Sequence, residues 1–295
     1  MMRQVLSKSA QFRLGAGALA LALAIGALPS IGKGEEAQAE KVLALGGSVT
    51  EIVYALGQQD RLVARDSTST YPQEANDLPD VGYMRALSSE GVLSVAPELI
   101  LSEEGAGPPE TIAALQAAAI PFVTIPDKYS AEGVVAKITA VGQALDAQKA
   151  AEELAAQITT DFAQAEARMA EVEHPKRVLF ILSTQGGRIL ASGTGTAAHG
   201  IIEMAGAVNA VTAFEGYKPL TDEAVALAAP DVILMMDRSD DHGADDDALF
   251  AMAPIITTAA AQTRSVVRMD GLYLLGFGPR TAQAALDLNA ALYGG

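Results

Sequence analysis

Short apolar runs alternate with amphipathic stretches along most of the chain. The first run is KVLAL at Lys41–Leu45, and similar runs recur at Leu99–Leu101, Ile120–Ile125 and Arg177–Leu182. Each is short and rich in aliphatic residues, as buried strands are. Between them, apolar residues recur at helical spacing, which is typical of helices that bury one face. This alternation predicts an α/β fold.

The longest amphipathic stretch begins after Ser130, a favourable N-cap residue, and reaches about Val172. Its apolar positions form two stripes: Val134, Ile138, Val141 and Leu145, then Leu154, Ile158, Phe162, Ala165 and Met169. Asp146 stands where the stripe changes and could cap a second segment. The pattern predicts a long helix over residues 130–173, with its stripes used for packing.

An internal sequence repeat indicates two related halves. VLSVAPELIL at Val92–Leu101 and VALAAPDVIL at Val225–Leu234 share a proline, an acidic residue and aliphatic residues at matching positions, 133 residues apart. Repeats of this size, each combining a helix and a strand, predict two similar α/β lobes. We therefore expect an N-terminal lobe at 40–129 and a C-terminal lobe at 174–295, joined by the long helix.

The N-terminus has the features of a secretory signal peptide. Basic residues in the first 13 positions precede an apolar run at Leu14–Leu28 and the small-residue site Ala37-Gln38-Ala39. The run is shorter than the ~18–20 residues that a spanning helix requires. We expect cleavage after residue 39 and export to the periplasm; a retained N-terminal anchor is the alternative. No later stretch is long and apolar enough to predict a membrane span.

Composition excludes several classes of function. Removing the four basic and two acidic residues of the signal takes the net charge from −16 to −18. A chain this acidic lacks the clustered Lys and Arg that phosphate contacts require, so nucleic-acid binding is not expected. There is no Cys and there are three His residues, and no HExxH, GxSxG or Walker motif occurs. Gly46-Gly47-Ser48 follows the first strand but lacks the P-loop lysine. Two lobes without a catalytic set predict a binding protein rather than an enzyme.

The segment from Ala64 to Leu101 contains the most distinctive loop. Tyr71 stands directly before Pro72, which disfavours helical backbone at the tyrosine and stiffens the loop. A tyrosine held on a rigid loop suits the mouth of a binding site. A half-buried tyrosine that covers the edge of the sheet fits the same pattern.

Four blocks carry a family resemblance: LGGSVTEIVYALG, STYP, LPDVGYMRALSSEGVLSVAPELIL and GTAAHGIIEMAGAVNAVTAFEGYKPLTDEAV. They resemble the haem-binding periplasmic substrate-binding proteins of bacterial haem ABC importers, a rigid-helix class shared with cobalamin and ferric-siderophore binding proteins. The resemblance covers essentially the whole mature chain. It implies two α/β lobes bridged by one long α-helix, a ligand cleft between the lobes, and a monomer that delivers haem to an inner-membrane permease.

By the same resemblance, Tyr71 matches the tyrosine that ligates haem iron. A phenolate is a hard anionic oxygen donor and a known haem ligand. A free tyrosine has a pKa of about 10, so bound ferric iron or a nearby cation must favour the phenolate. The candidates for that cation, for propionate contacts or for the cleft wall are Arg85, Tyr83, Tyr217, Lys218 and Arg238.

Three further residues follow from the resemblance. His199 could supply a second axial ligand from the other lobe, although we prefer five-coordinate iron on Tyr71 alone. Glu90 matches an acidic residue that docks onto permease arginines, and Glu203 is its counterpart on the second lobe; solvated helix faces are the alternative for both. A cobalamin or ferric-siderophore binding protein on the same scaffold is the first rival function, and a secreted enzyme or scaffold protein the second.

Overall fold

The computed structural model describes residues 40–237 and 245–294. The expected signal peptide and Arg238 lie outside the described residues. These described residues cluster as one compact unit. We call residues 40–129 the N-terminal lobe and residues 174–294 the C-terminal lobe.

The N-terminal lobe contains a four-stranded sheet in the order β2-β1-β3-β4. All three pairs of neighbouring strands are parallel. The strands are β1 (Val42–Leu45), β2 (Leu62–Arg65), β3 (Leu99–Glu103) and β4 (Phe122–Ile125), and the helices between them are α1 (Gly47–Ala55), α2 (Ser89–Ser94) and α3 (Pro109–Ala117). Short 3-10 turns lie at Gln59–Arg61 and Gln73–Asp77.

The stretch expected to form one helix over residues 130–173 forms two. Ser130 caps α4 (Ala131–Ala144), and α5 (Gln148–Met169) follows after three residues. Asp146 between them has φ 54°, a left-handed conformation that a right-handed helix cannot continue through. α4 packs on α1 and β4, whereas α5 packs on α6 (Ala197–Met204) and α11 (Thr281–Tyr293) of the C-terminal lobe. The bridge is thus a helix pair.

The C-terminal lobe contains a mixed six-stranded sheet among the described residues, in the order β10-β9-β5-β6-β8 with β7 beside β5. β6 runs antiparallel to β5 and β8, and the remaining pairs are parallel. The strands are β5 (Arg177–Ser183), β6 (Leu190–Ser192), β7 (Val208–Asn209), β8 (Tyr217–Pro219), β9 (Val232–Asp237) and β10 (Val266–Asp270). The helices are α6 (Ala197–Met204), α7 (Asp222–Ala228), α8 (Asp246–Ala251), α9 (Ala259–Thr263), α10 (Gly271–Leu275) and α11 (Thr281–Tyr293), with a 3-10 turn at Gln185–Gly187.

The internal sequence repeat corresponds to a structural repeat. In each copy a short helix, α2 or α7, ends just before a buried strand, β3 or β9. Ala96 and Ala229, which precede the matching prolines, both take left-handed backbone, with φ 46° and 42°. The two-lobed α/β architecture is therefore confirmed, and the shared sequence specifies the same helix-to-strand turn twice.

One apolar cluster runs through both lobes. It contains Val42 and Leu101 from the first sheet, Val178 and Leu234 from the second, and the buried faces of α4, α5 and α11. Because this cluster is continuous, the lobes share buried surface behind any cleft between them. None of the helices in residues 40–237 and 245–294 combines the length and apolarity that a bilayer crossing requires.

Candidate functional site

The loop that leads from β2 to Tyr71 is folded around Asp66, which is fully buried. The Asp66 carboxylate accepts hydrogen bonds from the backbone N–H groups of Gly46 and Thr68, both at 2.9 Å. It also accepts from the hydroxyls of Thr68 at 2.6 Å and Ser69 at 2.7 Å. These donors satisfy the carboxylate and fix the loop to the end of β1. Tyr71 therefore extends from a backbone that is held in place.

Tyr71 is 42% exposed. Its ring faces the guanidinium of Arg280, whose Cζ atom lies 3.5 Å from the ring centroid. The same guanidinium lies 5.0 Å from the ring centroid of Tyr273. Both distances lie within the range of cation–π contacts. Arg280, in the C-terminal lobe, thus carries a positive charge against the tyrosine of the N-terminal lobe.

Glu51 fixes the position of Arg280. The Nε and Nη2 atoms of Arg280 donate to the two carboxylate oxygens of Glu51 at 3.0 and 2.9 Å. The side chain of Glu51, on α1, is 6% exposed and that of Arg280 is 27% exposed. A bidentate pair of this kind sets the plane of the guanidinium as well as its position. The ion pair joins the two lobes directly beside Tyr71.

A pocket of about 260 Å³ lies at this junction. Its lining residues are Thr70 and Tyr71 from the N-terminal lobe and Asp270, Tyr273 and Arg280 from the C-terminal lobe. Two aromatic rings, a cation and a carboxylate therefore meet in one concave surface between the lobes. Ligands commonly bind at such junctions.

Tyr273 is held as a neutral phenol. Its hydroxyl donates to the Asp287 carboxylate at 2.8 Å, and its backbone N–H donates to Asp270 at the start of α10 at 2.8 Å. Burial raises the pKa of Tyr273 above its ordinary value, and the hydrogen bond and charge of Asp287 add to that effect. A second phenolate in the pocket is thereby disfavoured.

A second group of residues lies around Arg85 and includes the predicted Tyr217. Burial raises the pKa of Tyr129 to about 12, with the Asp127 carboxylate reinforcing the shift and the Arg85 charge opposing it. Burial likewise raises the pKa of Tyr217, again against the charge of Arg85. Arg85 of the N-terminal lobe therefore lies within electrostatic range of tyrosines on both sides of the lobe junction. Tyr217 also packs edge-on against Phe180, with ring centroids 6.3 Å apart.

His199 lies on α6 and is engaged within its own lobe. Its Nδ1 atom is 3.4 Å from the side-chain nitrogen of Asn209, and its Nε2 atom is 3.5 Å from a carboxylate oxygen of Glu203. His199 does not line the pocket at Tyr71. Glu203 remains 62% exposed, and Glu90 is exposed in the first turn of α2.

The other predicted residues are placed as follows. Tyr83 is 48% exposed in the loop after Gly82. Lys218 is exposed on β8 with its ammonium 5.3 Å from the ring centroid of Phe214. The sequence reasoning missed Glu51, Tyr129, Tyr273 and Arg280. The signal for Arg280 was slight, a glycine-rich turn before the last helix, and its partner Glu51 is 229 positions away.

Comparison with known proteins identifies relatives over most of the chain. A family model for periplasmic binding proteins matches residues 42–272. YvrC of Bacillus subtilis (strain 168), an uncharacterized ABC transporter substrate-binding lipoprotein, is 31% identical over 202 residues, 67% of this chain and 64% of that protein. The vitamin B12-binding protein of Yersinia pestis (strain Pestoides F) is 38% identical over 84 residues, 28% of this chain and 30% of that protein. The matches therefore span less than two thirds of the length of these curated relatives.

A solved structure is similar over nearly its whole length. The periplasmic haem-binding protein BhuT, in complex with two haems, is 42% identical, with a TM-score of 0.81 over 85% of this chain and 97% of that chain. The relatives are substrate-binding proteins. The match over residues 42–272, with two α/β lobes and a pocket at their junction, shows that this chain belongs to the periplasmic binding protein family.

Proposed function

We propose that this protein binds haem between its lobes through a bond from the Tyr71 oxygen to iron, and delivers it to an inner-membrane ABC permease. The observation that carries the proposal is the pairing of an exposed tyrosine on a fixed loop with a guanidinium held by a buried carboxylate. Similarity to a haem-binding protein at 42% identity supports the choice of cargo.

A tyrosine beside an arginine, as Tyr71 and Arg280 are, is suited to binding ferric iron. A phenolate is an anionic oxygen donor that binds ferric haem. A neighbouring positive charge stabilises the anion. Arg280 supplies that charge, and its two hydrogen bonds to Glu51 hold the guanidinium in place beside the tyrosine ring. Arg85 was a candidate for this charge or for a haem propionate. Its charge acts on Tyr129 and Tyr217, and we propose it as a contact for a haem propionate.

The pocket at Tyr71 is slightly smaller than the ~300–1,000 Å³ of typical ligand sites. It therefore fits the iron side of a large planar ligand rather than the whole porphyrin. Tyr83, Lys218 and Tyr217 are proposed to border the remainder of the cleft. Five-coordinate iron is proposed, because both ring nitrogens of His199 face residues of its own lobe.

The transport role extends the proposal. Glu90 and Glu203, one exposed on each lobe, are proposed to dock onto basic residues of the permease. The mature protein is proposed to act as a monomer in the periplasm after removal of residues 1–39.

Absorption titration of the mature protein with ferric haem tests the proposal. The wild-type protein should give a saturable high-spin spectrum with a phenolate-to-iron band. Tyr71→Phe, which keeps the ring and removes the oxygen, should lose that band. Tyr83→Phe is the matched control, since its ring is similarly exposed, and the band should be retained. An unchanged spectrum in Tyr71→Phe would assign the iron to another donor.

Cobalamin is the second candidate, because 84 residues match a vitamin B12-binding protein. A parallel titration with cobalamin separates the two cargoes. Saturable cobalamin binding without saturable haem binding would replace haem as the cargo and leave the family assignment unchanged.

A further inference from the structure

Lys137 on α4 has a side chain that is fully buried. Its ammonium donates to the carboxylates of Asp127 at 2.7 Å and Glu103 at 3.3 Å. It also donates to the Ser48 hydroxyl at 2.8 Å and to the Gly276 carbonyl at 3.3 Å. A buried ammonium requires such partners, because removal from water is otherwise strongly unfavourable.

The partners of Lys137 come from both lobes. Ser48 is on α1, Glu103 ends β3 and Asp127 follows β4, all in the N-terminal lobe. Gly276 follows α10 in the C-terminal lobe, and its carbonyl is one that the end of a helix leaves without an intrahelical partner. A lysine at a helix C-terminus is favourably placed for such a carbonyl. Lys137 therefore connects the lobes through one ammonium group.

The same contacts flank the Glu51–Arg280 ion pair. Ser48 lies one helical turn before Glu51 on α1, so the two residues share a helix face. On the other lobe, Gly276 lies four residues before Arg280, and the intervening Phe277 is 1% exposed. Lys137 thus contacts a residue near each member of the pair that faces Tyr71: the Ser48 hydroxyl on the α1 side and the Gly276 carbonyl on the Arg280 side.

We propose that Lys137 is a positioning residue for the Tyr71 site. It holds Glu51 and Arg280 in the relative positions that their ion pair across the lobe junction requires. The proposal rests on the proposed function, binding of haem through Tyr71. Lys137 acts through Arg280 and does not contact the ligand.

A double-mutant cycle tests this role. Haem affinity and the position of the phenolate-to-iron band are measured for the wild-type protein, Lys137→Met, Arg280→Ala and the double variant. Lys137→Met should weaken haem binding about tenfold when Arg280 is present and less than about twofold when it is absent. It should also move the band towards its position in Arg280→Ala. Equal losses in both backgrounds would mean that Lys137 acts only on general stability, and would overturn the proposal.

Lys128→Met is the matched control. Lys128 pairs with Glu104 at 3.1 Å, and each of these residues adjoins a partner of Lys137 in sequence. This pair is exposed and lies within the N-terminal lobe. Haem affinity should be unchanged in the control. If Lys137→Met does not fold, Ser48→Ala replaces it in the cycle, because it removes the contact on α1 without leaving a buried charge unpaired. Additive losses for Ser48→Ala would equally overturn the proposal.

A second experiment tests the role of Lys137 independently of haem binding. If the wild-type protein binds no haem, the proposed cargo is wrong, and amide hydrogen exchange of residues 276–281 is measured without ligand instead of the mutant cycle. Lys137→Met should accelerate exchange there relative to Lys128→Met, and the same acceleration should appear in residues 48–52 on α1. Unchanged exchange would overturn the role of Lys137 whatever the cargo.

Discussion

Glu103 should make the stability of the protein depend on pH near neutrality. Its side chain, at the end of β3, is 10% exposed. Burial raises the pKa of Glu103 to about 7, with the Lys137 charge opposing the shift and the Asp127 charge adding to it. The folded protein therefore keeps a proton on Glu103 at pH values where the unfolded chain has released it. Its contribution to stability is complete below the unfolded pKa of 4.5 and is lost as the pH rises through about 7.

The magnitude follows from the difference between the two pKa values. A rise from 4.5 to about 7 corresponds to about 3 kcal/mol in the free energy of unfolding, as an order of magnitude. Glu103→Gln cannot ionise and lacks this dependence. The free energy of unfolding of the wild-type protein minus that of the variant should thus fall by about 3 kcal/mol between about pH 4 and about pH 8. Urea unfolding followed by circular dichroism measures both values at each pH.

Glu104→Gln is the control for this experiment. Glu104 is the next residue, 50% exposed, and its hydrogen bond with Lys128 lowers the pKa of Glu104. The contribution of Glu104 to stability is therefore lost only as the solution becomes more acidic. The free energy of unfolding of the wild-type protein minus that of Glu104→Gln should be constant above about pH 5. A flat difference for Glu103→Gln as well would refute the reasoning from burial.

Three further predictions concern packing and iron ligation. Gly47→Ala places a methyl group against the Leu272 side chain across the lobe junction and against the Thr68 carbonyl of the N-terminal lobe. It should lower the free energy of unfolding by about 1–3 kcal/mol in urea. Gly142→Ala brings two methyl groups together, because the added Cβ meets that of Ala151 where α4 packs on α5, and a loss of similar size is expected by the same method. His199→Ala should leave the haem absorption band in place, since the ring nitrogens face residues of the same lobe.

Each of these has a contrary outcome. An unchanged free energy of unfolding for Gly47→Ala would show that α1 does not contact the C-terminal lobe as described. For Gly142→Ala the comparison is Gln143→Ala, an exposed neighbour that should change stability by less than about 0.5 kcal/mol. Equal effects would remove the case for close helix packing. Loss of the haem band in His199→Ala would make His199 an iron ligand.

The buried strands and the repeat were accessible to sequence reasoning because apolar periodicity and the Ala-Pro turns are local signals. The strand expected at Lys41–Leu45 is observed at Val42–Leu45, and that at Ile120–Ile125 is observed at Phe122–Ile125. The antiparallel strands β6 and β8 were not expected. Each is three residues long, too short to show a period, and their pairing depends on residues far apart in the chain.

The break between α4 and α5 and the role of Arg280 are harder to predict from the sequence, because neither has a strong local signal. The apolar stripes continue on both sides of Asp146, so they do not reveal its left-handed backbone. Tyr71 could be predicted as a candidate because its proline neighbour and the family blocks are visible in the sequence. Arg280 could not, because its significance arises only when α1 and the start of α11 meet in space.

The hydrogen bonds around Asp66 also bear on the speed of ligand capture. A loop that must become ordered before it can bind slows association below the ~10⁵–10⁷ M⁻¹s⁻¹ typical of specific encounters. Here the carboxylate already holds Gly46, Thr68 and Ser69. Tyr71 is therefore presented before any ligand arrives, so the rate of capture should be set by diffusion into the pocket. Under the proposed function, residence time would then depend on the strength of the bond from Tyr71 to iron and on how readily the permease separates the lobes.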